Sequence, residues 1–422
     1  MDKILIKNIR AVDASNDFIT DVFISDGIIS EVSQAVKSSA DVMIDGTGLV
    51  LMPSLFDMHV HFRDPGFTYK EDVISGCSAA LAGGVTGVVC MPNTNPPIDN
   101  PETVKYIKDK AKDTGVDVFP ACCITKGMKG DELCDYDSLM DAGVIAASDD
   151  GRPVKNAAMM RNALDLSVKN NIRIISHCED LDIINGGIMN NGSVSEKLGV
   201  KGMDRSSEEY ITAREIILAA SVGAAIHIAH VSTAGSVEII RLAKMHGLKV
   251  TCETCPHYFM LTDEKLLERD ADFRMNPPLR TSADVKAVAD GIADGTIDCI
   301  VTDHAPHTSE EKSDFYKAPN GVVGLETSLA ATLTALYHTN KLKLNDIVRL
   351  MSVKPREILG LPVISIKNGM PADLVIVDTQ REWKVIPDKL HSKSHNTVFK
   401  GMTLKGKPLV TISKGKIKYN EM

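Results

Sequence analysis

The middle of the chain alternates short apolar runs with longer stretches of helical periodicity. Eight of the apolar runs end in polar or ionisable residues, and they read LMPSLFDMHVH, TGVVCMPN, DVFPACCIT, GVIAASDD, IRIISHCED, AAIHIAHVS, LKVTCETCPH and DCIVTDHAPH. Between them, stretches such as NPETVKYIKDKAKDTG and SVEIIRLAKMHG have the apolar spacing of an amphipathic helix. Strands that alternate with helices favour right-handed units with parallel strands. Eight such units predict an α/β fold built on a (β/α)8 TIM barrel.

The two ends of the chain have a different pattern. Short runs in which apolar and polar residues alternate, such as ILIKNIRAVD, ADLVIVD and LVTISKGKIKY, are separated by Gly, Asp and Asn. This pattern is typical of antiparallel strands. We therefore expect residues 1–52 and 364–422 to form one small β-sandwich domain beside a barrel of residues 53–363.

One helix start is predicted in detail. Ser206 and Glu209 have the spacing of a capping box, and the apolar face of YITAREIILAA follows them. The side chain of Ser206 is therefore expected to cap the helix after the fifth strand.

Composition excludes some classes of function. Of the 422 residues, 44% are hydrophobic and 24% are charged, which is typical of a soluble globular protein. The formal net charge of -9, without a basic block, argues against nucleic acid or an anionic membrane as a partner. The N-terminus lacks the pattern of a signal peptide, and no run approaches the roughly 18 apolar residues of a membrane helix. The nine cysteines, including those of the isolated CETC motif at Cys252–Cys255, are expected to be reduced and buried in the cytoplasm.

Histidines and aspartates gather where the predicted strands end. His59 and His61 are two residues apart on a strand, so their side chains point to the same face. The six candidate metal ligands are His59, His61, Asp150, His177, His230 and Asp303. Taken singly, each is more simply a satisfied core histidine or a capping aspartate. Together they predict a centre for zinc or a similar ion, with enough ligands for two ions that share a carboxylate.

Several motifs resemble one enzyme family. The segments DMHVHFRDPG, MPNTNP, SDDG, SHCED, IAHVST, RMNPPLR and TDHAPHTSEEK are similar to those of the amidohydrolase superfamily, and within it of the dihydroorotase family. The similarity covers essentially the whole chain. It implies a metal-dependent cyclic amide hydrolase that converts N-carbamoyl-L-aspartate to (S)-dihydroorotate with loss of water, in pyrimidine biosynthesis.

The resemblance also implies the composition of the metal centre. Many relatives bridge two metals with a carboxylated lysine from the fourth strand, but GVIAASDDGRP contains no lysine and Lys155 comes too late. The chain resembles the branch in which an aspartate bridges, and Asp150 matches that position, with Asp149 left as an alternative. The implied cofactor is zinc, as one or two ions, and Asp303 is the implied catalytic acid and base.

Substrate-binding residues are expected around this centre. Arg63 supplies a planar fork that matches a carboxylate bidentately. By resemblance, Asn93 and His307 complete the clamp and Asn276 binds the ring, although each also reads as an ordinary turn or loop residue. Residues 304–325 are expected to cover the substrate, with backbone groups offered by Asn320 and Gly321.

Two nearby features are expected to have no chemical role. The run SEEKSD, residues 309–314, is interpreted as a solvated loop. His227 is three residues before His230 on a strand, so we expect it to point to the opposite face and pack against a helix.

Two other functions compete with this interpretation. One is a noncatalytic partner subunit, but such chains typically lose metal ligands and all six positions are filled here. The other is a different cyclic amidase, such as an allantoinase or a hydantoinase, whose substrates lack the carboxylate that Arg63 and Asn93 would clamp. The resemblance suggests a homodimer, and association with aspartate carbamoyltransferase is left open.

Overall fold

Strands and helices alternate through the middle of the chain, as its pattern predicts. The computed structural model describes residues 3–422. Its strands are β1 (Ile4–Val12), β2 (Asp17–Ser25), β3 (Ile28–Ser33), β4 (Val42–Asp45), β5 (Val50–Pro53), β6 (Leu55–Val60), β7 (Val85–Cys90), β8 (Asp117–Pro120), β9 (Ala146–Ala147), β10 (Arg173–Ser176), β11 (Met189–Asn190), β12 (Gly202–Met203), β13 (Ile226–Ile228), β14 (Val250–Thr254), β15 (Cys299–Ile300), β16 (Leu374–Lys384), β17 (Thr403–Ser413) and β18 (Lys416–Asn420). Its α-helices are α1 (Val73–Ala82), α2 (Pro101–Ala111), α3 (Tyr136–Asp141), α4 (Ala157–Asn170), α5 (Leu181–Ile184), α6 (Ser193–Leu198), α7 (Ser206–Val222), α8 (Ala234–Met245), α9 (Ser282–Ala293), α10 (Ser328–Thr332), α11 (Leu344–Val348) and α12 (Lys354–Ile358).

Eight parallel strands in the middle of the chain follow one another in space. One sheet has the order β6-β7-β8 and a second has the order β9-β10-β13-β14-β15. Parallel bridges from Cys122 to Ala147 and from Val60 to His304 connect these two sheets at both edges. The pairings therefore run from β6 through all eight strands and back to β6, and we call this set the strand ring.

The two ends of the chain meet in one sheet. Its order is β18-β17-β16-β5-β1-β2-β3, and β4 also pairs with β1. Most neighbours are antiparallel as expected, but β4 and β5 both run parallel to β1. The reason is that β5 continues in the direction of β4 after the turn at Gly46, so both strands lie along successive halves of β1.

Hydrophobic side chains fill the space between the strand ring and its helices. Val88 of β7, Val104 of α2, Leu164 of α4 and Val237 of α8 are all buried in one cluster. A separate buried cluster joins strands from both ends of the chain. This packing covers the sides of the strands with helices, so that only the polar ends of the strands are left uncovered at the edge of the strand ring. Within residues 3–422, no helix is both long enough and apolar enough to cross a membrane.

The predicted start of α7 is wrong in its details. Ser206 is the first helical residue rather than the cap, and no side-chain cap bond forms at Arg205 before it. The reason is that Asp204 accepts hydrogen bonds from both the backbone N–H (2.9 Å) and the hydroxyl (2.6 Å) of Ser206. The serine hydroxyl is therefore committed to the preceding loop.

Candidate active site

A cavity of about 250 Å³ opens where the strands of the ring end. Ten of the twelve residues predicted for the site line this cavity, together with Gly151 and Ala305; the ten are His61, Arg63, Asn93, Asp150, His177, Asn276, Asp303, His307, Asn320 and Gly321. The other two, His59 and His230, are buried next to Asp150. The strands thus bring all twelve predicted residues to one place.

Asp150 is shared by two groups of histidines. His59 and His61 form one group with it, and His177 and His230 form the other. The distances from its carboxylate oxygens are 3.5 Å to His59 Nε2, 3.4 Å to His61 Nε2, 3.3 Å to His177 Nδ1 and 3.5 Å to His230 Nε2. Both groups could hold a metal ion, with one carboxylate common to the two.

Asp303 lies against the first group. Its Oδ1 is 3.0 Å from His61 Nε2 and 3.6 Å from His59 Nε2. The side chain also lines the cavity, so it contacts the histidine cluster and faces the cavity at the same time.

The cluster fits a divalent metal. Nε2 of His59 and Oδ1 of Asp150 are buried atoms that have no hydrogen-bond partner, although they lie 3.5 Å apart. Buried polar atoms are normally satisfied, and unpaired ones facing each other are typical of ligands arranged around an ion. Neutral imidazoles with carboxylates are a donor set that zinc and related ions prefer.

Hydrogen bonds fix which nitrogen each histidine presents to the cluster. His59 Nδ1 donates to Glu253 Oε1 (2.6 Å), and His61 Nδ1 donates to Asn93 Oδ1 (2.8 Å). On the other side of Asp150, His177 Nε2 donates to a carboxylate oxygen of Glu179 at 3.3 Å. Such partners orient ligand rings and select their tautomers in metalloproteins.

Glu253 and His227 were not predicted to belong to the site. Glu253 is fully buried, and its second oxygen lies 3.2 Å from His227 Nε2. The prediction that His227 packs against a helix is therefore wrong, because its ring contacts the same carboxylate as His59 and also Thr251. The sequence feature that could have indicated Glu253 is the presence of a glutamate inside the apolar strand that contains CETC.

The electrostatic balance of the cluster favours positive charge. Burial disfavours a charged His59, but the carboxylates of Glu253 and Asp150 outweigh burial and raise the pKa of His59 well above its ordinary value. Burial likewise opposes charge on His177, and its bonds to Asp150 and Glu179 raise its pKa to about 10. The carboxylates thus attract either protons or a cation, and a metal would compete with the protons.

Asp149 is directed away from the cluster. Its carboxylate accepts hydrogen bonds from the backbone N–H of Ile124 (2.8 Å) and from the hydroxyl of Thr125 (2.5 Å). Asp150, one residue later, is the aspartate that faces the histidines. Lys155 reaches an exposed ion pair with Asp182, so it is not part of the cluster.

Arg63 and His307 form the opposite wall of the cavity. Arg63 Nε donates to the carbonyl of Pro306 (3.2 Å), and Nη2 lies 3.2 Å from His307 Nε2. Burial and the neighbouring cations Arg63 and Lys70 keep the pKa of His307 far below its ordinary value. Lys70, which was not predicted, donates to His307 Nδ1 at 3.3 Å and pairs with Glu311 at 2.8 Å. Arg63 is therefore the cation that the cavity wall presents, beside a neutral imidazole.

Asn93 contacts the histidine cluster and lines the same cavity as Arg63. Its Oδ1 accepts from His61, so its Nδ2 is the group left for other partners and lies 3.4 Å from the carbonyl of Asp150. An N–H donor near Arg63 suits an anionic ligand.

The segment after His307 closes one side of the cavity. The carbonyl of Asn320 accepts from His307 Nε2 at 2.9 Å. Both backbone groups of Gly321 are engaged within the protein, the N–H by Arg274 and the carbonyl by Asn396. Its φ is 144°, and a Cβ there would lie 2.6 Å from the Ala305 carbonyl, so only glycine fits this part of the wall.

One part of the same segment is buried against expectation. Ser309, Glu310 and Ser313 of SEEKSD are exposed as predicted, but Lys312 is 7% exposed, so the prediction of a solvated loop is wrong at this residue. Its Nζ donates to the carbonyls of Arg274 and Pro319, both at 3.0 Å. These two bonds compensate for the loss of water around the amine.

Three site residues have a backbone that ordinary side chains rarely adopt. The φ angles are 59° at Arg63, 32° at His230 and 48° at Asp303. Such left-handed conformations cost energy and cluster at functional sites.

A ring of parallel strands with a cluster of histidines and aspartates at the strand ends defines the class of metal-dependent amidohydrolases.

Comparison with known proteins narrows this class to a family. A family model described as Dihydro-orotase-like matches residues 48–236. The dihydroorotases of Citrifermentans bemidjiense and Acetivibrio thermocellus are 49% and 46% identical to this chain, each over 99% of both sequences. The chain belongs to the dihydroorotase family.

Solved structures agree at the level of the fold. The L-hydantoinase of Arthrobacter aurescens has a TM-score of 0.90 and 24% identity, and the match covers 100% of this chain and 97% of that one. The dihydropyrimidinase of Brevibacillus agri has a TM-score of 0.87 and 22% identity, with 99% and 95% covered.

Proposed function

We propose that this chain converts N-carbamoyl-L-aspartate to (S)-dihydroorotate and back, with the twelve residues of the cavity in the roles given below. As a member of the dihydroorotase family, it is a cyclic amide hydrolase (EC 3.5.2.3) of pyrimidine biosynthesis. One observation supports the residue assignment. A single cavity has the cluster around Asp150 on one side and the Arg63 guanidinium, beside His307, on the other.

The architecture that we propose is a (β/α)8 barrel with a terminal β-sandwich. The strand ring would be the barrel of residues 53–363, and residues 1–52 and 364–422 would form the sandwich. Support comes from the pairings that return to β6 and from the sheet that joins both ends of the chain.

The proposed cofactor is zinc, as two ions. His59, His61, Asp303 and the shared Asp150 would hold one ion, and His177, His230 and Asp150 the other. Zinc supplies Lewis acidity, which activates a water molecule and polarises the carbonyl of the cyclic amide. The unpaired atoms of His59 and Asp150 are the structural support for this assignment.

Asp303 is proposed to move the proton. Its carboxylate takes the proton of the attacking water and then gives it to the ring nitrogen that leaves. In the cyclisation direction the same carboxylate takes a proton from the carbamoyl nitrogen as that nitrogen attacks the side-chain carboxyl group. It then gives the proton to the carboxyl oxygen whose C–O bond breaks, and this oxygen leaves as water. Proton transfer by a positioned group is typically worth about 10² to 10⁴ in rate.

The carboxylate of the substrate is proposed to bind Arg63, Asn93 and His307. The guanidinium provides a fork and the Asn93 amide adds a hydrogen bond, while His307 would redirect to the carboxylate the Nε2–H that it donates to the Asn320 carbonyl. Asn276 faces the ring from the other side. Asn320 and Gly321 would form the wall against which the ring rests.

We further propose that the chain is a cytoplasmic homodimer. All nine cysteines are free and buried, which suits a reducing compartment. Light scattering of the purified protein tests the dimer, and a titration with aspartate carbamoyltransferase tests whether the two enzymes associate.

The decisive experiment follows the ultraviolet absorbance of dihydroorotate after addition of zinc-loaded protein. Dihydrouracil and allantoin serve as alternative substrates, and a sample treated with a chelator serves as the control. We expect dihydroorotate to be consumed, the other two rings to be poor substrates and the chelated sample to be inactive. Equal turnover of dihydrouracil would argue against the carboxylate clamp.

A further inference from the structure

Glu179 connects the metal cluster to the residue that faces the substrate ring. One oxygen lies 3.3 Å from His177 Nε2, and the other accepts a hydrogen bond from Asn276 Nδ2 at 2.8 Å. The side chain is buried, at 7% exposure, and each oxygen of the carboxylate has one of these partners. Glu179 is therefore a link between a proposed ligand of the metal and a proposed ligand of the substrate.

The hydrogen bond to Glu179 fixes which end of the Asn276 side-chain amide faces the cavity. A carboxylate accepts hydrogen bonds and donates none, so Asn276 can meet Glu179 only with its NH2 group. The amide oxygen must then point the other way, and Asn276 lines the cavity. We propose that Glu179 is a positioning residue that holds Asn276 with its Oδ1 toward the cavity, so that the site recognises an N–H group of a cyclic ureide.

The two asparagines of the cavity consequently have opposite polarities. Asn93 accepts from His61 with its Oδ1 and keeps its NH2 group for a carboxylate. Asn276 donates to Glu179 with its NH2 group and keeps its oxygen for an N–H. In each case the orientation is imposed by the hydrogen bond behind the asparagine. A ligand with a carboxylate at one end and a ring N–H at the other matches both.

Replacing the carboxylate by an amide should invert this polarity. In Glu179→Gln the new oxygen can still accept from His177, which leaves only the new NH2 group for Asn276. Asn276 must then turn its oxygen toward position 179 and present NH2 to the cavity. An N–H of the ligand would face an N–H of the protein, and affinity should fall by about 10-fold or more.

A charge exchange should restore recognition. In the double variant Glu179→Gln with Asn276→Asp, one carboxylate oxygen accepts from the new amide and the other faces the ligand as an acceptor. The net charge equals that of the wild type. We expect the double variant to recover most of the affinity lost by the single variant, an outcome that a loosely packed or damaged site would not give.

The experiment measures binding of orotate to zinc-loaded protein by calorimetry, because the conjugated ring of orotate resists hydrolysis. The four proteins are the wild type, Glu179→Gln, the double variant and Glu264→Gln, with zinc content measured for each. Glu264 is exposed at the surface, so Glu264→Gln removes the same charge as Glu179→Gln without changing a residue of the cavity. Glu264→Gln should therefore bind both zinc and orotate like the wild type.

The proposal rests on the proposed function, and the two fail differently. Unchanged orotate affinity in Glu179→Gln, or a double variant no better than the single one, overturns the role of Glu179 while the wild type still opens dihydroorotate. A wild type that neither opens dihydroorotate nor binds orotate overturns both. If Glu179→Gln does not fold, Asn276→Ala keeps the test open. Orotate that is methylated on the ring nitrogen facing Asn276 should bind the wild type at least 10-fold more weakly than orotate does. The same methyl group should weaken binding to Asn276→Ala much less.

Discussion

The carboxylate of Glu253 holds the imidazoles of His59 and His227 at once. Its Oε1 lies 2.6 Å from His59 Nδ1, and its Oε2 lies 3.2 Å from His227 Nε2. Burial alone would raise the pKa of Glu253, but the two imidazoles lower it to about 2. Glu253 is therefore an anion in the folded protein, and it leaves His59 Nε2 directed at Asp150.

Glu253→Gln should weaken metal binding. The amide keeps the shape of the side chain but loses the negative charge that supports the ring of His59. Replacement of such a partner typically lowers metal affinity about 10- to 100-fold. Competition between the protein and a zinc-chelating dye measures the change.

A matched control separates this effect from a general loss of charge. Glu264 is exposed on the surface and does not belong to the cluster, so Glu264→Gln removes the same charge outside it. It should bind zinc like the wild type. Equal zinc affinity in Glu253→Gln and Glu264→Gln would show that Glu253 does not support His59.

Asp303→Asn should abolish most of the catalysis. An amide cannot take the proton from water, so kcat should fall by about 10² to 10⁴ in both directions of the reaction. The assay is run at saturating zinc, because Asp303 also lies 3.0 Å from His61. The control is Asp298→Asn, at the opposite end of the same strand segment, where the carboxylate accepts from the backbone of Cys252. If both variants keep a high kcat, another group carries the proton.

The sequence predicted the candidate ligands at the strand ends better than the residues that hydrogen-bond to those ligands from behind. His59 and His61 share a face because side chains alternate along a strand, and this is a local rule. The partner of His59, in contrast, is 194 positions away in the chain. Nothing near His59 indicates Glu253, because the contact exists only after the strands close into a ring. Lys70 was missed for the same reason, because its partner His307 is 237 positions away. Glu179 is two positions from His177, and only its bond from Asn276, 97 positions away, depends on the tertiary structure.

The other two errors arise from hydrogen bonds that the residue pattern does not indicate, one reaching a distant segment and one local. Lys312 lies in a charged run that favours solvent, but its amine donates to the carbonyl of Arg274, 38 positions away, and to that of Pro319, seven positions away. Ser206 has the spacing of a cap, but Asp204 competes for its hydroxyl. The spacing of residues indicates which bonds are available, and the tertiary structure decides which of them form.

Arg63→Lys should weaken substrate binding although the charge is conserved. Lysine carries one compact ammonium group and cannot form two parallel bonds to a carboxylate. We expect kcat/KM for dihydroorotate to fall about 10- to 100-fold, mainly through a higher KM. Dihydrouracil, which lacks the carboxylate, provides the control because its low turnover should hardly change. An equal loss for both rings would place the effect of Arg63 in the folding of the site.

Lys312 should make stability increase with pH above neutrality. Burial lowers its pKa from 10.5 to about 7 in the folded protein. Between these values the folded state holds a neutral amine, which can still donate to its two carbonyls, while the unfolded chain holds the charged form. The unfolded state then binds more protons, so the free energy of unfolding rises with pH. Urea unfolding at pH 7, 8.5 and 9.5 should show the wild type gaining stability relative to Lys312→Met at each step. A constant difference between the two proteins would mean that the amine stays charged when buried.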